Sequence, residues 1–200
     1  MHDAVPSDGR RTRHAARKCE LLDAAADYVL AHGLSGLSIR PLAAALGLSH
    51  RTLLYHFESK EKLVLEVLDV IRNRDKGRIR DYLGRAQVSS ATDLLRAAWA
   101  YFSAPERLPY IRFFHEVFAL GMQGPPYQTW VETVVDGRNR MIATALAAIG
   151  IPEVRSRPVA TLITAAVRGL QLHLLTTGDR AMTDAAFEEL VSGLEAQLPS

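Results

Sequence analysis

A chain of 200 residues that is 48% apolar and 23% charged can bury a real core, which excludes an intrinsically disordered polypeptide. Its one cysteine, Cys19, excludes an intrachain disulfide framework and fits a reducing, cytoplasmic setting; the opening MHDAVPSDGRRTRHAARK has no apolar stretch behind its basic residues, which argues against a secretory signal. No uninterrupted apolar run approaches membrane-spanning length, so no membrane partner is expected, and the net charge of +2 divides unevenly: residues 1–80 carry 14 Lys/Arg against 10 Asp/Glu, residues 81–200 carry 10 against 12. The basic excess favours a nucleic-acid partner for the first part, although plain solvated surfaces also carry such an excess.

Residues 1–12, polar and interrupted by Pro6, Ser7 and Gly9, are expected to form a disordered basic arm. Arg10, Arg11 and Arg13 suit phosphates or a minor groove, and equally a solubilising tail. From about His14 to His32 the apolar positions Leu22, Ala25, Ala26, Val29 and Leu30 recur at helical spacing, and Gly33 stops the helix. Ser38 is placed to cap a short helix carrying Pro41 in its first turn, where a missing N–H costs nothing. Leu42, Ala43 and Leu46 make its buried face, and Gly47 supplies the left-handed residue that closes it. Ser49 then caps a second short helix through His56, with His50, Arg51, Thr52 and Tyr55 outward and Leu53 and Leu54 inward. This is the helix-turn-helix pattern, whose second helix is sized to enter a DNA major groove.

Ser59 is placed to cap a long helix to about Tyr82, lined by Leu63, Val64, Val67, Leu68 and Ile71. Its basic run Arg72, Arg74, Lys76, Arg78 and Arg80 is read as a solvated face in preference to a DNA contact. A break at residues 87–90 precedes a helix from about Ala91 to Ser103, then a turn bracketed by Pro105 and Pro109, an aromatic helix to Gly121, and a loop to Tyr127. Two long apolar helices, about residues 128–149 and 157–177, flank Gly150-Ile151-Pro152, and a last helix covers about residues 183–198. With no strand pattern or repeat, the fold is expected to be all-α.

Leu21, Leu22, Ala24, Ala25, Gly33, Ser38, Leu42, Ala43, Gly47, Ser49, Thr52, Leu53, His56, Phe57, Ser59, Lys60, Glu61 and Leu63 resemble the N-terminal signature of the TetR family of transcriptional regulators, over roughly Arg17 to Leu63. The resemblance implies a three-helix helix-turn-helix DNA-binding domain at residues 13–60, followed by a helical effector-binding and dimerisation domain at residues 61–200. It further implies a cytoplasmic homodimer on a palindromic operator, a repressor released by a small effector, with no metal or cofactor. Two positions depart from the family pattern: Arg51 stands where many members carry glycine, and Leu54 where many carry tyrosine.

The DNA-contacting candidates are Arg40, Ser49, His50, Arg51, Thr52, Tyr55, His56 and Lys60. Arg51 leads for base readout because a guanidinium matches guanine O6 and N7 in bidentate fashion, and Lys60 adds its charge to a helix N-terminus against a phosphate. Tyr55 or His56 is left to replace the missing tyrosine contact. The middle of the chain supplies an aromatic pocket or simply a filled core: Trp99, Phe102, Tyr110, Phe113, Phe114, Phe118, Met122 and Trp130, with His115 and His173 as polar groups. The second long helix is apolar on two sides, and the resemblance assigns it, with the first, to a four-helix dimer interface. A helical partner-binding module without sequence-specific DNA affinity is the competing reading. An enzyme ranks below it, since the sequence lacks a Walker loop, a G-x-S-x-G elbow and H-E-x-x-H.

Overall fold

The computed structural model describes residues 8–87 and 89–196, and among these it forms nine α-helices, one 3-10 turn and no strand. The chain falls into two compact units, Met1–Lys76 and Gly77–Ser200.

The first unit is built from α1 (Asp8–His32), α2 (Ile39–Ala45), α3 (His50–Phe57) and the leading part of α4 (Lys60–Arg85). Its core takes Leu21, Ala25, Ala26 and Val29 from α1, Leu42 and Ala43 from α2, Leu53 and Phe57 from α3, and Leu63, Val64, Val67, Leu68 and Ile71 from α4. Each fully buried Leu or Phe contributes about 1.5–3 kcal/mol through removal of apolar surface from water. Two polar ties span α1 and α4: Lys18 Nζ lies 2.6 Å from Glu66 Oε2, and Arg74 reaches Asp27 at 2.6 Å and Asp23 at 2.8 Å. These ties and the buried stripe explain why the first unit runs to Lys76, well past the border expected near residue 60. Arg74 is thereby withdrawn from the solvated run in which the sequence placed it.

α1 begins at Asp8, so residues 8–12 are helical rather than part of a disordered arm. Arg10 and Arg11, followed by Ala15, Ala16, Arg17 and Lys18, are strong helix formers that carry the helix upstream of its apolar stripe. Residues 1–7 of the expected arm, and the side chains of Arg10, Arg11 and Arg13, lie outside the described residues. Ser38 occupies the N-cap position of α2 in extended backbone, but its side chain makes no capping hydrogen bond, contrary to expectation.

The second unit contains α5 (Ala91–Ser103), α6 (Leu108–Gly121), α7 (Tyr127–Ala148), α8 (Glu153–Thr177) and α9 (Arg180–Glu195), with a 3-10 turn at Pro105–Arg107. Ser90 caps α5 by accepting from the Asp93 amide at 3.0 Å, and Asp179 caps α9 by accepting from the Met182 amide at 3.0 Å. Side-chain caps therefore start α9 three residues before the expected Thr183. α8 starts at Glu153 rather than Arg157, its first turn held by the Ser156 hydroxyl donating to Ile151 O at 3.1 Å or Pro152 O at 3.2 Å. α7, α8 and α9 share a core of Leu146, Ile151, Ala160, Ile163 and Leu194. An apolar void of about 20 Å³ beside it is the size of a single water.

By length and composition α8 is long and apolar enough to cross a membrane, a test that the core helix of a globular domain also passes. Leu162, Ala165, Gly169 and Leu172 explain its character: they recur along one side of the helix and are exposed, Leu162 to 54% and Leu172 to 49%. Arg157 and Arg168 interrupt the apolar run in sequence.

Candidate functional site

The turn between α2 and α3 is fixed by backbone hydrogen bonds that its sequence makes available. Gly47 has φ +67°, its N–H donates to Ala44 O at 3.0 Å, and the Leu48 N–H donates to Ala43 O at 2.8 Å. That pair is the Schellman arrangement, which satisfies the last carbonyls of α2 and needs a left-handed residue at Gly47. Two residues later Ser49 caps α3: its Oγ accepts from the Thr52 amide at 3.0 Å and lies 2.8 Å from Thr52 Oγ1. One helix is closed and the next is opened within four residues.

α3 has two unlike sides. Leu53 and Phe57 are fully buried, and Leu54 is half-buried, while His50, Arg51 and Thr52 are exposed and Tyr55 leaves 78% of its surface free. His56 is half-buried with its ring 5.9 Å from that of Tyr55 and its Nδ1 inaccessible, so of the two candidates for the missing tyrosine contact Tyr55 is the one that faces solvent. Arg40 is exposed in the first turn of α2 and Lys60 is exposed at the first residue of α4. Between α3 and α4 the chain reverses at Glu58, with φ +66°, and the Ser59 N–H donates to Phe57 O at 2.7 Å. Lys18, its ammonium 5.2 Å from the Phe57 ring centre, braces the buried end of α3.

The family description "Bacterial regulatory proteins, tetR family" matches residues 21–67, the span from the buried face of α1 to the first turns of α4. Over its N-terminal domain, residues 21–67, the chain matches the TetR family. The HTH-type transcriptional repressor KstR2 of Rhodococcus jostii is 35% identical to it over 78 residues, 39% of this chain, and the chain spans only 38% of that relative's length. Two solved structures share the TetR fold over nearly the whole chain. A TetR-family regulator of Cytophaga hutchinsonii matches with TM-score 0.75 and 17% identity, covering 93% of this chain and 96% of that one. A Saccharomonospora viridis protein described as a transcriptional regulator, in complex with choline, matches with TM-score 0.72 and 20% identity over 92% and 98%. The family and these relatives are regulators rather than enzymes.

In the second unit the aromatic residues divide into groups that the sequence did not separate. Tyr110, Phe114 and Phe118 follow one another along α6, with ring centres 5.9 and 5.2 Å apart, and Trp130 of α7 stands 6.4 Å from Phe114. Phe102 joins them through Arg138, whose guanidinium carbon is 5.5 Å from the Phe102 ring and 5.7 Å from the Phe114 ring. Arg168 of α8 lies 3.9 Å from the Phe118 ring. His115 is half-buried, and burial, with the neighbouring Arg168 second, lowers its pKa from the usual 6.5. Burial first, and Arg138 second, pull the Arg168 guanidinium down to about 10.

Four of the expected ligand contacts stand outside this row. Trp99 is stacked on Phe187 at 4.9 Å and donates from Nε1 to Asp184 at 2.8 Å, which ties α5 to α9. Phe113 is buried on the other side of α6, Met122 is 84% exposed beyond its end, and His173 is exposed on α8. Arg138 and Arg168 were missed by the sequence reading. The signal for Arg168 was present: a lone arginine inside the apolar stretch of α8 has to lie against something that tolerates its charge.

Proposed function

We propose that the chain is a cytoplasmic homodimeric repressor that binds a palindromic DNA operator and is released by a small effector. The observation that carries the reading is α3 itself. A helix capped by Ser49, held from behind by Leu53 and Phe57, offers His50, Arg51, Thr52 and Tyr55 together on its free side. Arg51 is the base reader, Tyr55 the phosphate contact that stands in for the absent tyrosine at Leu54, and Lys60 and Arg40 are backbone clamps. The Ser49 hydroxyl, occupied by its own cap, serves the interface by fixing the helix start; half-buried His56 contributes least.

The exposed stripe Leu162, Ala165, Gly169 and Leu172 on α8 supports a dimer with the help of the neighbouring side of α7, where Met141 and Ala145 are exposed. Small residues let two helices approach closely, and burying such a stripe between copies removes apolar surface that a monomer leaves in water. Twofold symmetry would then set the recognition helices about one DNA turn, roughly 34–36 Å, apart. The aromatic row Phe102, Tyr110, Phe114, Phe118 and Trp130 supports an effector with an apolar or aromatic body.

Fluorescence anisotropy of the purified protein on DNA flanking its own gene, against scrambled competitor at two salt concentrations, tests the reading. Competitor-resistant, salt-sensitive binding at two protomers per palindrome is expected. Arg51→Ala should cost about 1–3 kcal/mol of sequence-specific binding, whereas Lys60→Ala should weaken all DNA alike and lower the salt slope by about one. Unaltered DNA behaviour in both variants would remove α3 from the interface.

A further inference from the structure

We propose that the effector site selects an oxyanion carried on an apolar or aromatic body, with Arg138 and Arg168 as the pair that binds it. The proposal rests on the effector-responsive reading above and specifies its chemistry. Phe114 and Phe118 stand 5.2 Å apart, the Arg138 guanidinium lies over both Phe102 and Phe114 at 5.5 and 5.7 Å, and the Arg168 guanidinium lies over Phe118 at 3.9 Å. Among the described residues neither guanidinium has a carboxylate within ion-pairing distance, and neither donates a hydrogen bond.

That contrasts with other arginines of the same unit. Arg96 is paired with Glu188 at 3.0 Å, Arg140 with Asp136 at 3.0 Å, and Arg180 binds the Ser103 hydroxyl at 3.3 Å. Partly buried cations without an acid carry a desolvation cost that ring faces offset only in part, and two cations close together repel. The lowered pKa of Arg168 reflects both effects, burial first and Arg138 second. His115 adds a third unmet group: its Nε2 is buried and has no hydrogen-bond partner.

One ligand answers all three. An oxyanion offers several acceptor lone pairs, neutralises the guanidiniums, and fits their planar forks bidentately. The three rings suit the apolar body to which it is attached. A quaternary ammonium would instead meet two like charges, and a neutral amide would leave both uncompensated. The void near Ile163 offers no rival, being apolar and about 20 Å³ in volume.

Isothermal titration calorimetry and thermal melts by circular dichroism on the full chain test this with four probes: 2-naphthoate, 2-naphthyl phosphate, 2-naphthamide and choline. At least one of the two oxyanions is expected to bind and raise the melting temperature, with the amide and choline inert. Binding of the carboxylate alone assigns an organic acid, and of the phosphate alone a phosphate ester; both outcomes support the proposal. Arg138→Met and Arg168→Met should each weaken the anion by about tenfold or more. Each should also raise the ligand-free melting temperature by roughly 2–4 °C, because Met keeps an apolar stem and removes an unpaired charge. The proposal is overturned if neither oxyanion binds, if the amide or choline binds as well as the anions, or if both variants melt lower than wild type with anion affinity unchanged. Operator release by a neutral or cationic compound, undisturbed by Arg168→Met, would overturn the anion assignment and leave the effector reading intact. Operator binding that no small molecule alters would instead remove the effector reading.

Discussion

His115 shows how one residue's surroundings become a property of the whole fold. Burial, and then the charge of Arg168, lowers its pKa from 6.5, so the folded protein resists protonating a ring that the unfolded chain protonates readily. The unfolded state therefore binds more protons in that range, and stability is fully present above about pH 6.5 and declines as pH falls through the folded value. Melting temperatures taken from neutral to mildly acidic pH should fall on the acid side, and His115→Gln should flatten that slope; an unchanged slope would remove His115 as the source. At the other site, Ser49→Ala should cost about 1 kcal/mol of stability in a urea melt, since the Thr52 amide loses its acceptor and the first turn of α3 frays. Ser49 was legible in the sequence because its partner is three residues away. The ring partners of Arg138 and Arg168 were not, because they stand on other helices, and spacing along one helix says nothing about which neighbour a side chain meets.

At the scale of elements, the two reversals that bracket α3 are opposites. Gly47 adopts φ +67° without strain, and a Cβ there would meet nothing within 4 Å, so Gly47→Ala tests backbone conformation alone. It should lower stability by about 1 kcal/mol, read as a lower urea midpoint. Glu58 holds φ +66° at a three-residue turn closed by the Ser59 amide, a conformation that strains any side chain. Glu58→Gly should raise the midpoint, since its surface pair with Lys62 is worth little. Local chemistry of this kind made α2, the turn and α3 readable residue by residue. Where longer-range packing decides, the sequence said less: the start of α1 was set too late because its first turns lack an apolar stripe, and spacing along α5 could not show that Trp99 stacks on Phe187. The sequence put a border near residue 60, whereas the first compact unit runs to Lys76, where ties through Glu66 and Arg74 join early α4 to α1.

For the molecule as a whole, the exposed side of α8 makes the assembly testable. Leu162→Glu with Leu172→Glu should give a monomer by analytical ultracentrifugation, with fold retained by circular dichroism, because both side chains are already about half exposed in a single copy. Operator affinity should then lose the contribution of the second half-site, while weak non-specific binding persists. A dimer that survives both charges would move the interface to another face. The chain's two tryptophans, Trp99 and Trp130, both fall in the second unit. Indole emission therefore reports directly on the second unit only, and a melt followed by it alone carries no probe within residues 1–76. Trp130 adjoins Phe114, whereas Trp99 is sealed against Phe187. With Trp99→Phe as background, the remaining indole becomes a spectral probe of the aromatic row, and comparison with far-ultraviolet ellipticity separates the unfolding of the two halves.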